Sequence, residues 1–424
     1  MKTIPYWVDD FPRPPGLTSE LPSETDYLVV GSGLTGLSAA RRLASAGKDV
    51  VVIDGLEIAG GASAINGGFV SPDVKAGVQT VDSRYGPGIA QEMWTSTVRA
   101  TELVREIAET PGVDAVIHNG GMAALGRGPR DLEKFQKQVD FYARNHHVDW
   151  EVIGPEDIHR IVGGESFDVA LFEPEGFGVH PAKLAFGLAR QVKTAGAVLV
   201  DHCHADSTER TTKGHRVHTS RGVIDAGNMI LATNGYTTRE PARDLARRVV
   251  PIGSYIIVTE PVGHDAAEEI FPGGVVAWKR KRLLNYMRRT QDDRILIGGR
   301  RSLHPDLDLP ESAIDLRRAL VGYWPQLETA EITHVWGGRL GVPFDLTPHI
   351  GRVDGAWYAL GYAGHGVALS TQLGYELAGM LLGEDPPSVY SQIPHRGRFY
   401  YSGSAAWFLT PASILYRTLD RFGM

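Results

Sequence analysis

An α/β fold, built on one Rossmann-type unit and continued by an antiparallel α+β portion, is predicted by three features of the sequence. Residues 26–54 read DYLVVGSGLTGLSAARRLASAGKDVVVID, which is strand, glycine turn, helix, strand and acid. That is the order and length a dinucleotide-binding βαβ unit requires. Residues 249–300 carry three β-rich runs, PIGSYIIVTEP, RLLNYMRR and RILIGGR, whose alternation suits antiparallel pairing. No second strand–GxGxxG–helix pattern occurs among the 424 residues, so one dinucleotide is expected and not two.

Residues 1–25, rich in proline and acid, read as an irregular arm. The first strand ends on Gly31-Ser-Gly33-Leu34-Thr35-Gly36. Gly31 allows the tight turn, Gly33 lets the backbone approach a pyrophosphate, and Gly36 lets the helix pack close to the strand. The helix N-terminus then turns its unpaired N–H groups and positive dipole end toward the phosphates. Asp54, followed by Gly55, stands at the tip of the second strand, placed to accept from a ribose hydroxyl. A glycine-rich loop follows at 60–69, then a helical pattern from about 88 to 110. Residues 113–172 mix short strands with a helix near 131–145, and Pro181 opens another, as suits a first helical turn. Strands recur at 198–201, 216–220 and 228–232, before Thr233-Asn234-Gly235-Tyr236. After the antiparallel runs come a helix near 312–323, a return through His334-Val-Trp-Gly-Gly338-Arg339, and a strand at 356–360. The glycine turn 361–366 then leads into a helix from about 367 to 382.

Composition narrows the function. Hydrophobic content of 42% and charged content of 22% are ordinary for a globular chain, and the length suffices for two domains. A net charge of −7 argues against a nucleic-acid partner. The basic run 279–282, with Arg288, Arg289, Arg300 and Arg301, goes the other way. It is either a solvated face or a set of cations presented to an anionic substrate. One cysteine, Cys203, excludes a disulfide framework, CxxC redox chemistry and cysteine-rich metal sites, and suggests a reducing, cytoplasmic compartment. The N-terminus carries prolines and acids where a secretory signal has an apolar core. No window approaches the ~18–20 apolar residues of a membrane span. Adjacent His146 and His147 point to opposite faces of a strand, so no metal site is expected.

Eight segments, in one order, resemble the D-amino-acid oxidase superfamily of FAD-dependent amine oxidoreductases. They are PYWVDDFPRPP, the glycine fingerprint, GGASAINGGF, GVHPAKLAFGLA, LATNGYT, LLNYMRR with RILIGGR, WGG with TPHIGR, and GYAGHGVALSTQLG. Within that superfamily the chain looks like the γ-glutamylputrescine oxidoreductase branch, with glycine and sarcosine oxidases as more distant relatives. The resemblance implies an FAD-binding domain (1–110, 176–242 and 330–424) interleaved with an antiparallel-sheet substrate domain (111–175 and 243–329). FAD is expected without a covalent link, because the only cysteine falls on the adenine side. Two departures stand out. Ala64-Ile65 replaces the common Gly-Arg, which removes any substrate contact borrowed from relatives that keep the arginine. Asp54 stands where a glutamate is frequent, one methylene shorter yet able to make the same contact.

By that resemblance, Gly61, Ala62 and Ser63 support the pyrophosphate, and Asn66, Gly67, Gly68 and Phe69 run beside the isoalloxazine. Ala205 grips the adenine end, and Ala232, Thr233, Asn234 and Gly338 close on the FAD. Gly364, Gly366, Val367 and Ala368 open the last helix at the flavin's pyrimidine side, where N–H groups and dipole meet developing negative charge. His365 either shapes that turn or touches the flavin. For substrate the candidates are Tyr286, Arg288, Arg301 and Arg339. Tyr286 and Arg288, two apart on a strand, share a face. Arg339 lies where glycine-oxidase-like relatives place a carboxylate-binding arginine, whose fork would grip both oxygens. Each arginine serves either that role or an internal salt bridge. The expected activity is oxidation of a C–N bond in a primary or secondary amine bearing a carboxylate. The imine would hydrolyse to an aldehyde or oxo acid, and O2 would become hydrogen peroxide. The alternatives are a dehydrogenase passing electrons to a quinone or carrier, and a non-catalytic FAD-binding scaffold.

Overall fold

The fingerprint strand Glu24–Val30 lies inside an eight-stranded sheet, parallel to Val50–Ile53 on one side and to Gly222–Leu231 on the other. The structure is a computed structural model describing residues 1–279, 284–300, 303–306, 308–404 and 406–421, without the side chains of residues 417, 420 and 421. Arg301 and residues 280–282 of the basic run therefore lie outside the described residues. Val198–Val200 extends the parallel set beyond Val50–Ile53, and Ala356–Leu360 lies parallel to Gly222–Leu231. Helices on one face and, on the other, an apolar cluster that takes in Ala242 and Leu245 of helix Arg239–Ala246 leave these strands no wet side, which is why Val50–Ile53 is apolar at every position. Helices Leu34–Ser45 and Gly366–Leu382 pack closely on each other, and a Cβ at Gly374 would overlap the Thr35 carbonyl.

The second sheet runs, in spatial order, Ile332–Pro343, Val249–Pro261, Arg294–Gly299, Asn285–Arg289, Val276–Lys279, Met122–Gly126, Val169–Glu173 and Glu151–Ile153. Every neighbouring pair is antiparallel apart from Val276–Lys279 with Met122–Gly126. The alternation in residues 249–300 thus corresponds to real pairing. One face buries Met287, Ile297 and Val335 with Leu320 and Trp324. The other face carries a rung formed by Trp336, Ile256, Gly298, Tyr286 and Trp278, directed toward the first sheet. A small sheet of Phe69–Val70, Phe177–Val179 and Val116–His118 lies alongside.

Three elements differ from the sequence reading. Ile332–Pro343, beyond the boundary expected at residue 330, pairs along its length with Val249–Pro261 in the second sheet. Its glycines conceal the alternation, and Gly337 leaves room for the Tyr255 ring, 2.8 Å from where a Cβ would stand. Ala205–Thr211 is a strand although its sequence is polar, because it forms an outer hairpin with one neighbour and is largely exposed. The N-terminal arm contains a short helix, Tyr6–Asp10, whose Tyr6 and Trp7 are buried. It is held by an ion pair from Lys2 to Asp9 and by hydrogen bonds of His334 with Asp9 and of His180 with Asp10.

Candidate active site

A cavity of about 500 Å³ lies between the first sheet and the aromatic rung of the second. It begins at the fingerprint. Gly31 has φ 108° and a Cβ there would stand 2.7 Å from the Ala232 carbonyl oxygen, so the turn admits no side chain. Gly33, Leu34 and Thr35 line the cavity where helix Leu34–Ser45 starts, and the N-cap residue Gly33 has no side chain to cap it. The Leu34 N–H donates to Ser63 Oγ at 3.0 Å, joining the helix start to the following loop. Gly36, the third glycine of the fingerprint, does not line the cavity. Its missing Cβ lets the helix lie against the Gly31 carbonyl, a packing role only. Gly33→Val is expected to abolish flavin retention, since a β-branched side chain would enter both the cavity and the space of Ser63 Oγ, 2.9 Å from the Cβ position. Full occupancy in the purified variant would show that the turn does not contact the phosphates.

Asp54 sits on the cavity wall with Gly55, Cys203, His204 and Ala205. Its Oδ2 accepts from the Ser32 N–H (2.7 Å) and hydroxyl (2.6 Å), and Oδ1 from the Leu56 N–H (2.9 Å). Burial pushes its pKa up, partly offset by those donors. Oδ2 is thus fully engaged, and Oδ1 keeps a second lone pair for a ligand hydroxyl. Cys203 is buried, and burial pushes its thiol up, so it is an apolar filler and not a nucleophile.

The loop Gly61–Phe69 forms the next wall, and its carbonyls are held by donors one after another. Trp336 Nε1 donates to the Ile65 oxygen at 2.7 Å, and Trp7 Nε1 to the Asn66 oxygen at 2.8 Å. Arg288 Nη1 donates to the oxygens of Gly67 (3.2 Å), Gly68 (3.1 Å) and Val179 (3.0 Å). Asn66 spans the turn inside, donating to the Ala62 and Ser63 oxygens and accepting from the Gly68 N–H. Arg288 is thus no substrate ligand. It is fully buried behind the loop, does not line the cavity, and burial pulls its pKa down to about 9, which leaves it a cation at neutral pH. A two-residue period gave its face correctly but not its depth, because the loop passes between that end of the strand and the cavity.

Tyr286 does face the cavity. Its ring crosses Gly298, where any Cβ would overlap it, and its hydroxyl shares a hydrogen bond with Ser254 Oγ at 3.1 Å. Burial pushes the phenol pKa up, so the proton stays on oxygen. Opposite lies the turn Gly364–Ala368, whose residues all line the cavity at the start of helix Gly366–Leu382. His365 is the N-cap residue, and its buried Nδ1 has no partner among the described residues. Burial, then Lys75 and Arg300, pull its pKa down to about 3. The ring is therefore neutral at neutral pH. The stability that this neutral ring contributes is present above its ordinary 6.5 and lost as pH falls toward about 3. His365→Gln is accordingly expected to leave the apparent pKa values of the kcat/KM profile unchanged between about pH 5 and 9. A displaced limb would mean that His365 titrates in catalysis.

Arg300, named in the basic set but not among the individual substrate candidates, faces the cavity. It lines the cavity at the end of strand Arg294–Gly299, with Nη2 3.8 Å from where a Gly364 Cβ would be. Burial pulls its pKa down, and no carboxylate lies within ion-pair distance among the described residues. Its signal was present: Gly298 and Arg300 are two apart, and Gly298 pairs with Tyr286. Arg339 also lines the cavity, but differently. It is half exposed, its Nη2 is paired with Asp306 at 2.7 Å, and its guanidinium stands 5.9 Å from the Tyr236 ring centre. Tyr236 covers Gly61, so Arg339 stands toward the fingerprint end. Among the described residues lining the cavity, Asp54 is the one acid, against Lys75, Arg300 and Arg339. The remaining expected residues, Ala62, Asn66, Gly67, Gly68, Phe69, Ala232, Thr233, Asn234 and Gly338, are brought together on its walls.

Comparison with known proteins agrees with this geometry. Gamma-glutamylputrescine oxidoreductase of Escherichia coli (strain K12) is 29% identical over 407 residues, covering 94% of this chain and 93% of that protein. A probable oxidoreductase, OrdL, of Rhizobium meliloti (strain 1021) is 30% identical over 364 residues, covering 85% and 84%. The crystal structure of glycine oxidase from Geobacillus kaustophilus superposes with a TM-score of 0.74 at 19% identity, covering 89% of this chain and all of that one. The DAO family model, described as FAD dependent oxidoreductase, matches residues 26–380, from the fingerprint strand into the closing helix. The chain belongs to the DAO family of FAD-dependent oxidoreductases.

Proposed function

We propose that the protein oxidises the C–N bond of a primary or secondary amine that carries a carboxylate, with O2 as electron acceptor. The observation that carries this reading is the charge of the cavity, where cations face the ligand space and the one acid lies at the fingerprint end. Relatives named for γ-glutamylputrescine and for glycine support an amine or amino-acid substrate.

The lining residues fit FAD. The fingerprint turn and the start of Leu34–Ser45 would hold the pyrophosphate, Asp54 a ribose, and the Asn66–Phe69 backbone with the Gly364–Ala368 turn the ring system. In this reading the first sheet with its helices carries the cofactor and the second carries the substrate. Bound FAD would supply the electron acceptor for the carbon beside nitrogen. The chain's own residues supply the rest. Arg300 grips the carboxylate and so fixes which carbon faces the ring. Lys75 and Arg300 make an ammonium costly in the cavity and favour the neutral amine that oxidation needs. Tyr286, protonated and held by Ser254, offers a hydrogen bond that orients the substrate. Trp278, Phe69 and Met122 form an apolar end that limits water.

Purified holoenzyme given a carboxylate-bearing amine under air should form hydrogen peroxide in step with the carbonyl product. Turnover seen only with an added quinone or dye would make the protein a dehydrogenase instead.

A further inference from the structure

The C-terminal segment has a character unlike the rest of the chain. Between Asp385 and Asp420 there is no aspartate or glutamate, in a protein of net charge −7. Among the described residues, five of the twelve exposed large apolar side chains lie within residues 399–415. Phe399 is 95% exposed, Trp407 65%, Ile414 61% and Leu415 54%, with Tyr400 beside them. Phe399, Tyr400, Trp407 and Phe408 form one aromatic cluster, with ring centres 5.4–6.0 Å apart, and Trp407 Nε1 donates to the Tyr400 oxygen. Arg396 and Arg398 are exposed just before Phe399, and Gly397 lies against the backbone of Arg247, itself exposed.

This cluster is anchored and is not a loose tail. Helix Leu409–Arg421 buries Leu409 and Ser413 against Ile252, Leu303 and Tyr401, and Ser413 Oγ accepts from the Leu303 N–H at 2.9 Å. Its opposite side, at Pro411, Ile414, Leu415 and Thr418, is open and follows helical spacing.

We propose that this segment docks the enzyme on an anionic lipid bilayer, with Phe399 and Trp407 entering the interface and Arg396 and Arg398 meeting lipid phosphates. Aromatic side chains that are apolar with one polar edge settle at the headgroup level, and nearby arginines add attraction to acidic lipids. A helix with one buried and one apolar outer face would lie in the plane of that interface. No helix among the described residues is long and apolar enough to cross a membrane, so the contact is peripheral. A second copy of the chain fits less well. In a two-fold interface the same patch faces itself, so Arg396 and Arg398 would meet a surface whose segment carries no acid to offset them.

Co-sedimentation of the holoenzyme with vesicles tests this. Binding is expected to vesicles of phosphatidylglycerol and phosphatidylcholine, with roughly tenfold or more weaker binding to phosphatidylcholine alone, and weakening as salt rises. Phe399→Ser with Trp407→Ser, and separately Arg396→Glu with Arg398→Glu, should each cut binding by roughly tenfold or more while flavin absorbance stays unchanged. The exposed arginine pair keeps the test informative if the aromatic variant folds poorly. No binding to the acidic vesicles, or equal binding by the arginine variant, overturns the proposal. So does a dimer in analytical ultracentrifugation that either variant dissociates, which would assign the patch to self-association.

Discussion

Arg288→Leu protein is expected to purify largely without flavin and to melt at a lower temperature than the wild type. One guanidinium nitrogen holds the carbonyls of Gly67, Gly68 and Val179 from behind the loop. Leucine would remove this donor from all three oxygens, leaving the Gly68 oxygen the Val179 N–H, at about 1–3 kcal/mol for each oxygen left unsatisfied where water cannot replace the donor. The same loop would be free to turn its carbonyls toward the cavity, where they would repel an electron-rich ring. Arg288→Lys should recover part of the loss, since an ammonium can donate three bonds but lacks the planar fork. Flavin absorbance per protein and thermal melting read both effects together. A leucine variant with full flavin and an unchanged melting temperature would mean that Trp7, Trp336 and Asn66 hold the loop without the arginine.

Arg300→Met is expected to lower kcat/KM for carboxylate-bearing amines by roughly 30-fold or more, with flavin content unchanged. Truncating one partner of a buried charge-assisted contact costs about 2–5 kcal/mol, and 2 kcal/mol already corresponds to that factor. Uncharged amines should lose little. Arg339→Met should have a smaller effect, because Arg339 is half exposed and already paired with Asp306. The opposite ranking, with Arg339 dominant, would return the carboxylate to the fingerprint side of the cavity.

What was legible in the sequence was what is local. The fingerprint, Asp54 and the closing glycine turn announce themselves because turn, helix start and strand tip lie within a few residues of one another. The antiparallel runs were legible because Tyr286 and Gly298 alternate with core residues. Depth was not legible. Arg288 and Arg300 are both cations on cavity-side strand positions, and only the path of the Gly61–Phe69 loop decides that one is walled off and the other exposed to ligand. The role of Trp7 was hidden for the same reason, since its partner is a backbone oxygen 59 positions away. Ile332–Pro343 was obscured by the glycines that make room for Tyr255.

Anaerobic bleaching of the flavin by matched substrate pairs tests the central claim most directly. Each pair would be an amine carrying a carboxylate and the same amine with the carboxylate replaced by a methyl or amide group. The wild type should be bleached roughly 30-fold or more faster by the carboxylate member of each pair, and Arg300→Met should remove most of that difference. If simple alkylamines bleach the wild type as fast as their carboxylated counterparts, the cationic cavity does not select the substrate, and the protein is an amine oxidoreductase of another specificity.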